Sequence, residues 1–180
     1  MEQEGIPAAD IDQAALEFGM PMGPILLADT VGLDICLSVG RILSGHFNVE
    51  IPGRLEKLVE AGRLGMKSGR GFYNHKKKRG ISSIRKRKKS PGGDRQDRLV
   101  MPLLNEAIAC WREGIVTDAD QLDAGAVFGI GFAPFRGGPL HYIRAAGIDA
   151  VLGRLKNLES KYGERFTPDA GWQDFKAQAE

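Results

Sequence analysis

The stretch Gly23-Pro24-Ile25-Leu26-Leu27-Ala28-Asp29-Thr30-Val31-Gly32-Leu33-Asp34 decides how this chain is read, because its plan returns 115 residues later. There Gly138-Pro139 is followed, after the same seven-residue spacing, by Gly147-Ile148-Asp149. Each stretch reads as a short helix. Proline suits a first turn, where its missing N–H costs nothing, and glycine breaks the helix at its end. Working outward, Glu4-Gly5-Ile6 matches Glu113-Gly114-Ile115, Ile11-Asp12 matches Leu122-Asp123, and Phe18-Gly19 matches Phe128-Gly129, at offsets of 109, 111 and 110. A repeat this long implies a duplicated domain, not the short period of a solenoid.

The comparison of copies exposes a gap. In the second copy, Glu113-Gly114 closes a long helical pattern from about Arg95; in the first, Glu4-Gly5 has only Met1 to Glu4 before it. A domain without that helix leaves the apolar partners of the helix unburied, so the chain is expected to be cut from a longer protein.

Composition bounds the rest. The chain has 180 residues, 42% of them hydrophobic, which suits one domain or two small ones. No apolar run approaches the roughly 20 residues of a membrane span, and the acidic start, Met1 to Asp10, does not resemble a secretory signal. Cys36 and Cys110 lack metal-ligand spacing and fit buried thiols in a reducing compartment, so a cytoplasmic location is expected.

The net charge of +2 conceals an asymmetry: Ala61 to Gly93 holds 12 basic residues and no acidic one, against 13 basic and 23 acidic residues elsewhere. Lys76-Lys77-Lys78-Arg79 and Arg85-Lys86-Arg87-Lys88-Lys89, set among Gly, Ser and Pro, read as an exposed linker between the copies. Such runs attract phosphates. However, no aromatic residue lies between His75 and Arg98 to stack on bases, so nucleic acid is not the expected partner.

The fold class expected is all-α. In the first copy, helices are expected at Ala8 to Phe18, Ile25 to Val31, Ile35 to Leu43 (capped by Asp34) and Ile51 to Ala61, followed by a glycine-rich irregular segment from Arg63 to Tyr73. In the second they are expected from about Arg95 to Glu113, from a Thr117 cap to Val127, at Pro139 to Ala146 and at Asp149 to Gly163. The core face of the first of these is read as Leu99, Leu103, Ala107, Cys110 and Trp111. Phe166, Trp172 and Phe175 are expected to anchor the tail. Asp10, Asp12, Asp118, Asp120 and Asp123 crowd helix entries, where the helix dipole explains them without a metal site. Of the three histidines, His75 is expected to be solvated beside the linker, His46 to lie in a loop, and His141 to sit near a helix start in a structural role.

At this point the residues resemble a known family. Phe18-Gly19-Met20-Pro21-Met22-Gly23-Pro24, with Ala28-Asp29-Thr30-Val31-Gly32-Leu33-Asp34 and Gly65-Met66-Lys67-Ser68-Gly69-Arg70-Gly71-Phe72-Tyr73, is similar to the C-terminal domain of 3-hydroxyacyl-CoA dehydrogenases. Phe128 to Pro139 resembles the degenerate second repeat of the multifunctional fatty-acid oxidation α-subunits, in which enoyl-CoA hydratase is joined to the dehydrogenase. The resemblance implies two tandem helical domains: residues 1–75, lacking most of the first helix; a basic linker, 76–93; and a degenerate repeat, 94–180.

It also implies what the chain lacks. The family's NAD site is a strand, a G-x-G-x-x-G turn and a helix. Gly69-Arg70-Gly71 is too short for it and Gly129-Ile130-Gly131 lies between helices. The family's catalytic histidine–glutamate pair belongs to that same NAD domain, and its Asn-Arg pair is replaced here by Asp97-Arg98. No catalytic, cofactor or metal residue is therefore expected, and NAD is a cofactor of the parent enzyme only. Met20, Pro21 and Met22 are the candidates for a wall of the acyl cleft, since methionine adapts to chains of varied shape; Lys67, Ser68 and Arg70 are candidates for contact with substrate. The partners implied are the NAD-binding domain, acyl-CoA, a thiolase subunit of a β-oxidation complex, and packing between the repeats or in a homodimer. The competing readings are a free-standing acyl-CoA-binding or scaffold module and a nucleic-acid-associated helical protein.

Overall fold

The computed structural model describes residues 1–47, 51–76 and 94–178. The basic run expected as a linker falls outside them except at Lys76. Nine α-helices are formed among the described residues: α1 Ala8–Phe18, α2 Pro24–Val31, α3 Leu33–Phe47, α4 Gly53–Glu60, α5 Arg95–Arg112, α6 Ala119–Ile130, α7 Pro139–Ala146, α8 Ile148–Tyr162 and α9 Gly171–Ala177. The all-α reading holds: the extended structure among them is limited to the isolated bridges Gly65–Arg70 and Arg70–Asn74.

The matched spacing of the two halves is accompanied by matched helix lengths. The helices α2 and α7 have eight residues each, and α3 and α8 have fifteen each. Gly32 and Gly147 join the pairs at φ 111° and 88°, values in the region that favours glycine.

The chain divides into two compact units. The first takes Met1–Gln13 and the chain from Met22; the second takes Ala14–Pro21 with everything from α5 onward. Thus α1 contributes its first half to one unit and its second half to the other.

Unit 2 is built around α5. This helix packs against α6, α7, α8 and α9, and buries Val100, Met101, Leu104, Ala107 and Ile108. The expected face was turned by about one residue: Leu99, Leu103, Cys110 and Trp111 are only half-buried. A helix surrounded on several sides is apolar over much of its circumference, so periodicity alone does not fix the centre of its buried stripe. Phe18 enters the same core, edge-on to Phe132 at 5.5 Å and to Tyr142 at 5.3 Å. The tail is anchored as expected through buried Phe166, Trp172 and Phe175. Asn105 ties it down: its Oδ1 accepts from Trp172 Nε1 (2.8 Å) and from the Asp169 amide (2.9 Å).

Unit 1 is thinner. Its buried apolar side chains among the described residues are Ile11, Leu33, Leu37 and Leu58. Local readings need three corrections. The α3 helix begins at Leu33, so Asp34 lies in its first turn, and it runs to Phe47, so His46 is helical and not in a loop. The α6 helix is capped by Asp118, whose carboxylate accepts from the Asp120 amide, in place of Thr117; the helix continues to Ile130. Asp at this position satisfies an amide that the first turn leaves unpaired.

Candidate functional site

A matched pair of buried carboxylates organises both units. Asp12 lies on α1 but caps the next helix, its oxygens accepting from the amides of Ile25 (2.7 Å) and Leu26 (3.1 Å) at the start of α2. Asp123 on α6 does the same for Leu140 (2.7 Å) and His141 (2.9 Å) at the start of α7. Helix N-termini expose unpaired N–H groups and a partial positive charge, and these carboxylates meet both. Of the acidic residues expected near helix entries, Asp12 and Asp123 therefore act on the following helix, whereas Asp118 caps its own. The approach is close enough to require glycine. A Cβ on Gly23 would come within 2.3 Å of Asp12, and one on Gly138 within 2.3 Å of Asp123. Burial outweighs the two amide bonds at Asp123 and pushes its carboxyl above the usual range.

The third carboxylate has no counterpart. Asp29 is fully buried on α2 and holds the glycine-rich segment. It accepts from the amides of Phe72 and Tyr73, each at 2.9 Å, and pairs with His75 Nε2 at 2.7 Å. A Cβ on Gly65 would meet the Asp29 carbonyl oxygen at 2.2 Å, and one on Gly71 its side-chain oxygen at 2.1 Å. Tyr73 then donates its hydroxyl to Asp12 at 2.6 Å. Burial and the Asp12 hydrogen bond push its phenol far above the usual range. His75 is not solvated as expected: its side chain is 16% exposed. The linker begins beyond it, while the Asp29 contact draws the ring inward.

The candidate substrate residues are distributed as follows. Lys67 Nζ donates to Asp34 at 2.6 Å and pulls the Asp34 carboxyl below its usual range. Ser68 Oγ is spent within its own turn, accepting from the Leu64 amide and donating to the Arg70 carbonyl, both at 2.8 Å. The Arg70 side chain is exposed. Met20 packs against the core of unit 2; Pro21 and Met22 are exposed, and the division between units falls between them. The loop thus brings Lys67, Ser68 and Arg70 together, while the Met20–Met22 turn is divided. The sequence reading gave no role in this network to Asp29 and Tyr73, took Asp12 for a helix-entry acid and His75 for a solvated one; the available signal was an acid inside the apolar run Ile25-Leu26-Leu27-Ala28-Asp29.

The glycine loop and the start of α2 do not offer a phosphate cradle. A phosphate cradle needs unengaged amides at a helix N-terminus. Here the loop amides of Phe72 and Tyr73 are held by Asp29, and the amides at the start of α2 by Asp12. Among the described residues no cluster of side chains is arranged to hold a metal, and no helix is long and apolar enough to cross a membrane.

A family model for the C-terminal domain of 3-hydroxyacyl-CoA dehydrogenase matches residues 1–75 and 96–179. The fatty acid oxidation complex subunit alpha of Shewanella oneidensis is 37% identical over 182 residues, covering 92% of this chain and 25% of the relative. Its namesake in Vibrio vulnificus is 40% identical over 175 residues, with the same coverages of 92% and 25%. The chain spans about a quarter of the length of these relatives. A crystal structure of 3-hydroxybutyryl-CoA dehydrogenase from Escherichia coli K12 superposes with a TM-score of 0.76 at 21% identity, over 99% of this chain and 56% of that one. The dehydrogenase part of multifunctional enzyme 1 from C. elegans gives 0.62 at 22% identity, over 94% and 42%. At these identities the likeness is one of fold.

Proposed function

Since this chain belongs to the family of 3-hydroxyacyl-CoA dehydrogenase C-terminal domains, we propose that it is the helical part of an NAD-dependent 3-hydroxyacyl-CoA dehydrogenase of fatty-acid β-oxidation. In this reading it forms one wall of the acyl-CoA cleft and supplies a packing surface, and it is inactive alone. Met20, Pro21 and Met22 are assigned to that wall and Lys67, Ser68 and Arg70 to substrate contact; of these, Pro21, Met22 and Arg70 have exposed side chains and Lys67 is paired with Asp34. Ser68 and Met20 serve the wall by holding their turns in shape. NAD is bound by a separate domain of the parent enzyme, which is cytoplasmic, carries enoyl-CoA hydratase as well, and works with a thiolase subunit.

One observation carries this reading. The family match spans both halves of the chain, while the glycine loop, the feature nearest to a nucleotide fingerprint, is closed on Asp29 by its own amides. Oxidation of a 3-hydroxyl needs a base for its proton and a held hydride acceptor. His75, which faces the Asp29 carboxylate, is taken up in closing that loop.

The test is an assay of NADH formation from a 3-hydroxyacyl-CoA. The chain alone is expected to give none, and the NAD-binding segment of a relative added in trans is expected to give turnover that depends on the chain. Turnover by the chain alone, or saturable micromolar acyl-CoA binding without the second domain, would favour a stand-alone module instead.

A further inference from the structure

We propose that the exposed cations of the glycine loop, Lys67, Arg70 and Lys76, form a binding site for a phosphate-bearing anion, and that the Asp34 carboxylate occupies this site in cis until the anion takes Lys67 from it. The proposal rests on the assignment of this loop to substrate contact and names the chemistry recognised there. The fold brings the three cations to one turn. Lys67 lies in the short 3-10 turn Met66–Ser68, and Gly69 follows at φ 75°. The His75 amide donates to the Gly69 carbonyl oxygen at 3.0 Å, which folds the chain back so that the Lys76 stem crosses Gly69. A Cβ on Gly69 would meet Lys76 Cγ at 2.6 Å and Cε at 2.8 Å. Between them, the Arg70 backbone bridges those of Gly65 and Asn74. The side chains of Lys67, Arg70 and Lys76 are all exposed.

Unit 2 serves as an internal control. Asp34 and Asp149 are each the second residue of a fifteen-residue helix. Each also pairs with a lysine of the segment that closes its unit: Asp34 with Lys67 at 2.6 Å, Asp149 with Lys176 at 2.7 and 2.9 Å. Attraction to the helix dipole accounts for the carboxylate in both copies. The lysines differ in their surroundings. Lys176 shares α9 with Asp174, whereas residues 61–76 carry Arg63, Lys67, Arg70 and Lys76 and no acid. On this loop three cations share the one carboxylate that α3 supplies.

The pair with Asp34 is of an exchangeable kind. The Lys67 and Asp34 side chains are 45% and 40% exposed, and an ion pair so open to water contributes little to stability. A phosphate carries more charge than a carboxylate and more acceptor oxygens. It takes a lysine as a point charge and an arginine as a fork at the same time. Recognition comes from these side chains, because the loop amides of Phe72 and Tyr73 are already held by Asp29. Coenzyme A, through its nucleotide phosphates, and free pyrophosphate present the same chemistry.

The test is a titration of the isotope-labelled full chain, read by amide NMR shifts, with coenzyme A, with pyrophosphate and with pantetheine, which lacks the phosphates. Coenzyme A and pyrophosphate are each expected to saturate shifts at Lys67, Gly69 and Arg70 with millimolar affinity and to compete with one another; pantetheine is expected to move none of them. Lys67→Ala or Arg70→Ala should weaken binding at least fivefold. Asp34→Asn should tighten it at least threefold, and that gain should vanish when Lys67→Ala is also present. Asp149→Asn, which removes the same charge from unit 2, should change nothing. Circular dichroism of each variant checks that it is folded. Pyrophosphate shifting the loop where coenzyme A does not would uphold the anion site and overturn the substrate-contact reading. Coenzyme A shifting other residues only would do the reverse. No saturable shift in the loop with either anion, equal shifts with pantetheine, or a gain from Asp34→Asn that persists without Lys67 would overturn the proposal.

Discussion

Asp29 and Arg144 stand at the same point of equivalent helices, 115 residues apart, and each holds the segment that closes its own unit. Asp29 gathers the amides of Phe72 and Tyr73; Arg144 lays its guanidinium over the Phe175 ring of α9 at 4.7 Å. A change of charge at one helical position goes with a change in what the position grips, a glycine loop in one copy and a helix in the other.

The two contacts should differ in weight. Asp29→Ala leaves two part-buried amides and His75 without their acceptor, and is expected to cost about 3 kcal/mol or more. Arg144→Ala removes a surface cation–π contact and is expected to cost about 0.5–1 kcal/mol. Hydrogen exchange should show Phe72 and Tyr73 losing protection in the first variant only. Retained protection at those amides would contradict the clamp.

Tyr73 predicts behaviour at high pH. Its folded pKa is raised by burial and by Asp12, so its stabilisation is complete below the unfolded value of about 10 and is lost as pH rises beyond it. Of the three tyrosines in the chain, one should fail to titrate at 295 nm until the protein unfolds. Tyr73→Phe should flatten the alkaline limb of the stability curve and cost about 1 kcal/mol at neutral pH.

Asp169 predicts the opposite limb. Arg112 holds this carboxyl below its usual range, through an Nε–Oδ1 contact of 2.8 Å. Its contribution is present above the unfolded value of about 4 and is lost as pH falls through the lower folded value. Asp169→Asn should lower the urea midpoint at pH 7 and lessen the loss of stability below about pH 4. Equal slopes in variant and parent would count against the ion pair.

Two glycines of unit 2 should respond with opposite signs to the same substitution. Gly138 has φ 114° and no room beside Asp123, so Gly138→Ala should destabilise by about 2 kcal/mol or more. Gly125 lies within α6 with nothing within 4 Å of an added Cβ; Gly125→Ala should stabilise by about 0.5–1 kcal/mol. Thermal melts of the two variants decide the matter.

The helical plan was legible because its punctuation is local: Gly-Pro opens and Gly closes α2 and α7 alike. The orientation of α5 was less so, since its apolar residues exceed one face and only its neighbours select Val100 over Leu99. The closure of the glycine loop was not legible from local pattern. Asp29 and His75 are 46 residues apart, and an isolated acid in an apolar helix reads equally well as a solvated position. Comparing the repeats residue by residue would have flagged it, because position 144 reverses the charge.

The path of α1 has a consequence for cleavage. Phe18 lies early in the sequence, yet its ring is wedged among Phe132 and Tyr142, and Arg136 Nε donates to its carbonyl oxygen at 2.7 Å. A single scission anywhere in 77–93 would break the covalent chain and leave that wedge in place. The two fragments should therefore travel together through gel filtration, and part only when α1 itself unwinds.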